Sequence, residues 1–245
     1  MKESEYNKIA KYYDKVFGDT SETESYIRNK LVQFKINPKH QPEVLELGCG
    51  TGINLLPLLK EKFSVAGIDN SRQMLKIAGQ KIPGAEFHLK DIRDFELNKK
   101  FDLILCLYDT LNHLTLISEW KKVFKKVYEH LEVNGIFIFD INTIFKLSFL
   151  TEISPVFNKF DTNFLLVHVN NLSKNVFNWN LKVFENVKKN NFKLIEANIK
   201  EASFEKAEIV KELTKYFKIE KIEEESGKKP DKNSERLYFI CRKIK

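Results

Sequence analysis

The chain has 245 residues, 42% of them apolar including 20 Phe, and a formal charge of +7 from 41 Lys+Arg against 34 Asp+Glu. This suits one large packed domain and excludes a disordered or collagen-like chain. No apolar stretch reaches the ~18–20 residues of a membrane span, and the start at Met1 to Tyr6 lacks the apolar stretch of a secretory signal.

The first ~35 residues read as helical: Tyr6, Ile9, Tyr12, Tyr13 and Val16 recur at helical spacing, and Tyr26, Ile27, Leu31 and Phe34 do so after a break at Gly18–Ser21. Pro38 and Pro42 then mark a loop. From Val44 short apolar strands alternate with amphipathic helices. Strands are expected at 44–47, 64–69, 85–89, 101–107 and 136–141, with helices at 54–62, 71–81 and 118–131, the last broken at Gly135. Such alternation implies parallel pairing through crossover helices. Beyond Asn142 three antiparallel strands, 163–169, 175–184 and 192–202, are expected to cover one edge of the sheet. A helix over 203–217 and a closing hairpin, 219–225 with 236–242, complete the chain.

The fold class predicted is α/β: a Rossmann-like, seven-stranded, mostly parallel sheet with helices on both faces and an antiparallel β cover inserted after strand 5. The whole chain is read as a single domain, with an N-terminal helical lid at 1–37, a cofactor-binding core at 43–142, the cover at 145–202 and a return to the core sheet at 203–245. Cys49, Cys106 and Cys241 are far apart and form no Cys-x-x-Cys pair, which argues against a disulfide framework or zinc ribbon and for a reducing cytoplasm. No metal site is expected. The cations are mostly Lys interspersed with Glu, and Lys121-Lys122, Lys125-Lys126 and Lys188-Lys189 read as solvated faces; nucleic acid is not the expected partner.

The most informative stretch is Glu46-Leu47-Gly48-Cys49-Gly50-Thr51-Gly52, between the first strand and its helix. Glycines there allow a sharp turn and close approach of a ligand to backbone amides. Asp69, at the tip of the next strand, is placed to accept hydrogen bonds from vicinal ribose hydroxyls. The spacing is Gly-x-Gly-x-Gly rather than the dinucleotide Gly-x-Gly-x-x-Gly. An acid beside the first glycine would repel a pyrophosphate but suit an ammonium or sulfonium.

Glu46 to Gly52, Asp69 and Asp91-Ile92 resemble the S-adenosylmethionine signature of class I methyltransferases, over about residues 6–142. The resemblance implies that Glu46, Gly48, Cys49 and Gly50 hold the amino-acid and ribose portion of S-adenosyl-L-methionine, and Asp69 the ribose. It places Asn70 and Met74 near the adenine, Asp91 at the adenine amino group with the Ile92 amide beside it, and Leu107 among the cofactor contacts. The stretch Tyr6 to Asp14 is similar to the Tyr-Asp element of small-molecule methyltransferases, and Asn112-His113-Leu114 to the Gly-His-Leu of amino-sugar N-methyltransferases. Carried over, Tyr13 closes over the methyl group and His113 faces the acceptor nitrogen. Asn112 stands where that subfamily has Gly, and the cover shows no nucleotide-binding pattern, so the resemblance does not reach a sugar acceptor.

Methyl transfer is an in-line displacement in which the protein supplies positioning and a place for the acceptor's proton. The fourth strand tip, Cys106 to Leu114, offers His113 as the general base, since imidazole titrates near neutrality; the alternative is a capping or merely hydrogen-bonded His. Asp109 is either part of the site or a turn stabiliser, Asn112 is equally open, and Tyr108 either walls the methyl site or packs in the core. An Asn/Asp-Pro-Pro-aromatic or Pro-Cys motif, used on nucleobases, is absent. Phe164, Phe177, Trp179 and Phe184 of the cover are candidates to line the acceptor pocket. The expected activity is methyl transfer to a small molecule, nitrogen favoured over oxygen, by a cytoplasmic monomer or homodimer without membrane contact. The alternatives are an RNA or protein methyltransferase, which steep salt dependence of RNA binding would mark, and a cofactor-binding regulator without turnover.

Overall fold

In the computed structural model, residues 4–36, 38–189 and 191–244 are described. The signal-peptide reading of residues 1–3 lies outside them. Two N-terminal helices come first, α1 (Tyr6–Phe17) and α2 (Ser21–Gln33). The core then runs β1 (Glu43–Leu47), α3 (Leu55–Lys60), β2 (Ser64–Asp69), α4 (Arg72–Lys81), β3 (Glu86–Leu89), β4 (Phe101–Cys106), α5 (Ile117–His130) and β5 (Leu131–Asn142). Next come α6 (Ile144–Ile153), β6 (Val156–Phe160), β7 (Asn163–Ser173), β8 (Val176–Lys188) and β9 (Asn191–Ala202). The chain closes with α7 (Lys206–Leu213), β10 (Lys218–Glu223) and β11 (Arg236–Arg242).

Seven strands form one sheet in the order β10-β11-β5-β4-β1-β2-β3. β1, β2, β3, β4 and β5 pair in parallel, and β11 enters antiparallel to both β5 and β10. The order reverses between β1 and β4, where an open α/β sheet gapes at its carboxyl edge and receives ligands. The strands are buried on both faces. One layer is built on Leu45, Ile104, Trp120, Phe124, Phe137 and Phe139; the other on Val44, Leu103, Leu105, Tyr26, Ile138 and Tyr238. Continuous apolar strands such as 103–106 are the sequence mark of this double burial.

Two details differ from the sequence reading. The helix before β5 ends at His130, and Gly135 lies inside the strand, where the pairing with β4 shifts register between Phe101 and Leu103. The inserted sheet has four strands, β6-β7-β8-β9, preceded by α6. Helix α6 carries no sequence signal because its apolar residues spread around the axis without one apolar face, although Thr143 caps it by accepting from Lys146 N at 3.1 Å.

The inserted sheet lies over the carboxyl ends of the core strands rather than along one edge. One of its faces packs Leu165, Val167, Phe177 and Leu181 against Ile9 and Tyr12 of α1. Helix α1 is thus a slice between two layers. Its other side is tied to the core: Asn7 Oδ1 accepts from Ser71 Oγ (2.7 Å) and Gln73 N (3.1 Å). Asp14 accepts from Thr51 Oγ1 and Lys81 Nζ, both at 2.5 Å. Among the described residues no helix is long and apolar enough to cross a membrane.

Candidate active site

A cavity of about 600 Å³ opens between the carboxyl ends of β1, β2 and β4, helix α1 and the end of β9. One wall is the glycine turn. Gly48, Gly50 and Gly52 all have positive φ (68°, 52° and 74°), which lets the chain reverse into α3. At Gly48 a Cβ would lie 2.5 Å from Thr110 Cγ2, so the turn and the loop after β4 touch only because the side chain is missing. At Gly50 a Cβ would meet nothing within 4 Å.

Asp69 pins this turn. Its Oδ2 accepts from Gly50 N at 2.8 Å and its Oδ1 from Ser71 N at 2.7 Å. Burial raises the carboxyl's pKa, opposed by these amides. Asp69 borders the cavity, and its carboxylate has acceptor capacity beyond these two bonds. Asn70, Met74, Cys49, Asp91 and Ile92 border it too. Asp91 takes Arg93 on both oxygens, Nε at 2.9 Å and Nη2 at 2.5 Å. Burial works against its ionisation, but Arg93 more than offsets this and holds the carboxyl below its ordinary value.

Glu46 and Leu107 stand apart from the other expected cofactor residues, because neither borders the cavity. Leu107 is 2% exposed and its side chain belongs to the hydrophobic layer under the sheet, while its carbonyl accepts from Thr110 Oγ1 at 2.8 Å. Glu46 lies beneath the glycine turn. Its Oε1 accepts from Asn54 Nδ2 at 2.7 Å, and its Oε2 is buried without a partner. Burial pushes the carboxyl up to about 8, with Asn54 opposing and the charges of Asp69 and Asp140 adding to it. A buried carboxyl with an unpartnered oxygen behind a bare backbone turn would be drawn toward its ionised form by a cationic, adenosine-bearing ligand at that turn. By this criterion the residues fit S-adenosylmethionine.

Across the cavity stand Tyr13, Tyr6 and His113. Tyr13 meets Tyr6 edge-on, ring centroids 6.0 Å apart, and burial raises its pKa far above the ordinary tyrosine value. His113, in a 3-10 turn over Thr110–His113, has Nε2 3.1 Å from Tyr6 Oη, while Nδ1 is buried without a partner. Burial lowers its pKa, against the charge of Asp109 and the main chain of Lys200.

The turn carrying His113 is strained. Tyr108 and Asp109 both have positive φ (53° and 51°), a conformation non-glycine residues hold only under constraint. Asp109 N donates to Asp140 Oδ2 at 3.0 Å, and Arg236 reaches from β11 to both carboxylates. Burial and Asp109 raise the fully buried Asp140 to about 6, against the pull of Arg236. Asn112 is structural: Nδ2 donates to Asn142 O and Ala202 O, and Oδ1 accepts from Asn142 N. Tyr108 borders the cavity, with its hydroxyl unpartnered.

The four aromatics of the inserted sheet do not border the cavity. Phe177 is in the core against α1 with Trp179 beside it, and Phe164 stacks on Phe157. Asn198, Ile199 and Lys200 at the end of β9 take their place. Sequence reasoning also missed Tyr6, Asp140, Glu201 and Arg236 as site residues. Asp140 alone carried a signal, a charge inside the apolar run Ile136–Ile141.

Residues 44–135 match the family model described as a methyltransferase domain. A curated relative, the dTDP-4-amino-2,3,4,6-tetradeoxy-D-glucose N,N-dimethyltransferase of Saccharopolyspora spinosa, is 33% identical over 97 residues, 40% of this chain and 39% of that protein. The first curated relatives are matched over 39% to 61% of their length. An S-adenosylmethionine-dependent methyltransferase from Clostridium acetobutylicum superposes with a TM-score of 0.83 at 28% identity, over 97% of this chain and 98% of that one. The sugar N-methyltransferase KedS8 from Streptoalloteichus sp. shares the fold, with a TM-score of 0.76 at 16% identity over 96% of this chain and 91% of that one. The chain therefore has the fold of class I, S-adenosylmethionine-dependent methyltransferases, and residues 44–135 carry its match to the methyltransferase-domain model.

Proposed function

We propose that this chain transfers a methyl group from S-adenosylmethionine to a small-molecule acceptor, at nitrogen in preference to oxygen. When bound, the cofactor supplies an electrophilic methyl on a sulfonium. Glu46, the turn Gly48–Gly50, Asp69, Asn70, Met74, Asp91 and Ile92 are assigned to hold it, and Tyr13 to wall the methyl. Helix α1 acts as a lid and the inserted sheet as a cover, excluding water from the acceptor, whereas α2, expected to share in the lid, packs Tyr26, Ile27 and Leu31 into the layer under the sheet.

The observation that carries this reading is His113: its ring is in the cavity wall, and Nδ1 has no partner. In the neutral ring one nitrogen carries the proton and the other is the base. A lowered pKa keeps that base neutral at physiological pH, ready to take a proton from an amine. The curated relatives that act on amino sugars support nitrogen as the target atom.

The test is a mass-spectrometric search for a metabolite that gains one methyl when pure protein and S-adenosylmethionine meet a cell extract. With that acceptor in hand, His113→Ala is expected to lower turnover by ~10²–10⁴-fold with cofactor affinity kept. Methylation confined to RNA or protein in the extract would overturn the small-molecule reading.

A further inference from the structure

Behind His113, away from the cavity, lies Glu201, the penultimate residue of β9. It is 4% exposed, and among the described residues its side chain accepts one long bond, from Asn142 Nδ2 to Oε2 at 3.4 Å. A ring nitrogen of His113 and one oxygen each of Asp109 and Glu201 all lie within 4.8 Å of one another.

The charges around this group can be counted element by element. The turn after β4 brings Asp109, β5 brings Asp140, and β9 brings Glu201, three buried or largely buried carboxylates. Against them β11 brings Arg236, bonded to Asp109 (2.7 Å) and Asp140 (2.6 Å), and α6 brings Lys146, whose charge also acts on Glu201. Helix α1 adds the phenols of Tyr6 and Tyr13, while Glu235 and Lys200 at the periphery are exposed to water. Among these groups three acids face two cations, and Glu225 adds a further acid beside Arg236, so acids are in excess. An uncompensated buried charge is costly, and a bound proton would offset the excess of acids. Arg236 already occupies Asp109 and Asp140, which leaves Glu201 and His113 as the two places for it.

We propose that Glu201 is a positioning residue for His113, the two holding one proton in common. With that proton on Glu201, His113 is neutral when the acceptor docks. When His113 takes the acceptor's proton, Glu201 releases its own to solvent and becomes the carboxylate counter-charge of the imidazolium. The electron pair of the broken N–H bond stays on the acceptor nitrogen. This rests on the proposed role of His113 as base, and it makes the inserted sheet a contributor to the chemistry. Two sites coupled this way titrate as a pair.

The experiment needs no acceptor. Nitrogen NMR of histidine-labelled, full-length protein follows the His113 ring through a pH titration. In Glu201→Gln the midpoint is expected to fall by about one unit or more, a tenfold or larger loss of proton affinity; Glu201→Asp should restore most of it. An unchanged midpoint in a folded Glu201→Gln protein would overturn the proposal. Should that variant fail to fold, infrared spectroscopy of the wild type and His113→Gln decides. The carbonyl band of a buried, protonated carboxyl should be present in the wild type, and its titration should move in His113→Gln. A band absent, or indifferent to that change, overturns the proposal. Calorimetry with S-adenosylmethionine and the methyl search above test the enzyme reading separately, and their failure would leave the titration result intact.

Discussion

Arg236 donates from Nη2 to Asp109 Oδ1 at 2.7 Å, fastening the last strand of the core sheet to the strained turn that presents His113. The same guanidinium reaches Asp140, which is fully buried. Removing the cation would leave two acids in a dry site. Arg236→Met is therefore expected to destabilise the protein by about 3–5 kcal/mol, the cost of breaking a buried ion pair from one side. Urea unfolding measures this, and Asp109→Asn in the same chain should recover part of the loss.

Glu46, proposed to act on the cofactor from beneath the glycine turn, is expected to make its binding pH-dependent. With its carboxyl pushed up to about 8, it is largely protonated at neutral pH. An ammonium placed against it favours the ionised form, so binding should release a proton at pH 7, and affinity should rise as pH increases toward 8. Calorimetry in buffers of different ionisation enthalpy reads the proton count. No proton release in the wild type, or the same release in Glu46→Gln, would remove Glu46 from the cofactor site.

The same group affects stability without ligand. Its folded pKa lies above the unfolded value near 4.3, so the native state binds more protons between about pH 4.3 and 8. Its stabilising contribution is complete below that window and declines as pH rises through it. Glu46→Gln should flatten this part of the pH–stability curve, as followed by thermal unfolding.

Asp69→Asn keeps the side chain's shape but removes its charge and forces an NH2 against a backbone amide, Gly50 N or Ser71 N. Cofactor affinity is expected to drop by ~1–3 kcal/mol, the scale of hydrogen bonds to a charged group. Equal affinity in calorimetry would show that the ribose assignment is wrong.

Asp14 ties α1 to the glycine turn through Thr51 and to α4 through Lys81. Asp14→Ala should loosen this fastening and speed dissociation of S-adenosylmethionine about tenfold, corresponding to ~1.4 kcal/mol. Stopped-flow release, alongside an unfolding curve, separates this effect from a general loss of stability.

Most of the core was legible in the chain because each strand is a short apolar run closed by a turn signal, and each helix has one apolar stripe. The cofactor half of the site was legible for a related reason. Its parts, Gly48 to Gly52 and Asp69, sit at the tips of neighbouring strands, where sequence order fixes spatial order. The acceptor half was not. Arg236 and Glu201 come from β11 and β9, distant in sequence from His113, and nothing local marks either as facing the turn. The aromatics of the inserted sheet misled because alternation along a strand identifies a buried face without saying what it is buried against. Here that partner is Ile9 and Tyr12 of α1.

Successive residues of α1 serve different masters: Tyr12 fills the interior of the inserted sheet, while Tyr13 borders the cavity. Exchanging that sheet for a relative's, as one would to redirect acceptor choice, therefore cannot be done by cutting at 143 and 203 alone. The first helix must travel with the graft or be redesigned on its outward side, and a chimaera that ignores this is expected to lose cofactor retention together with the new specificity it was built to gain.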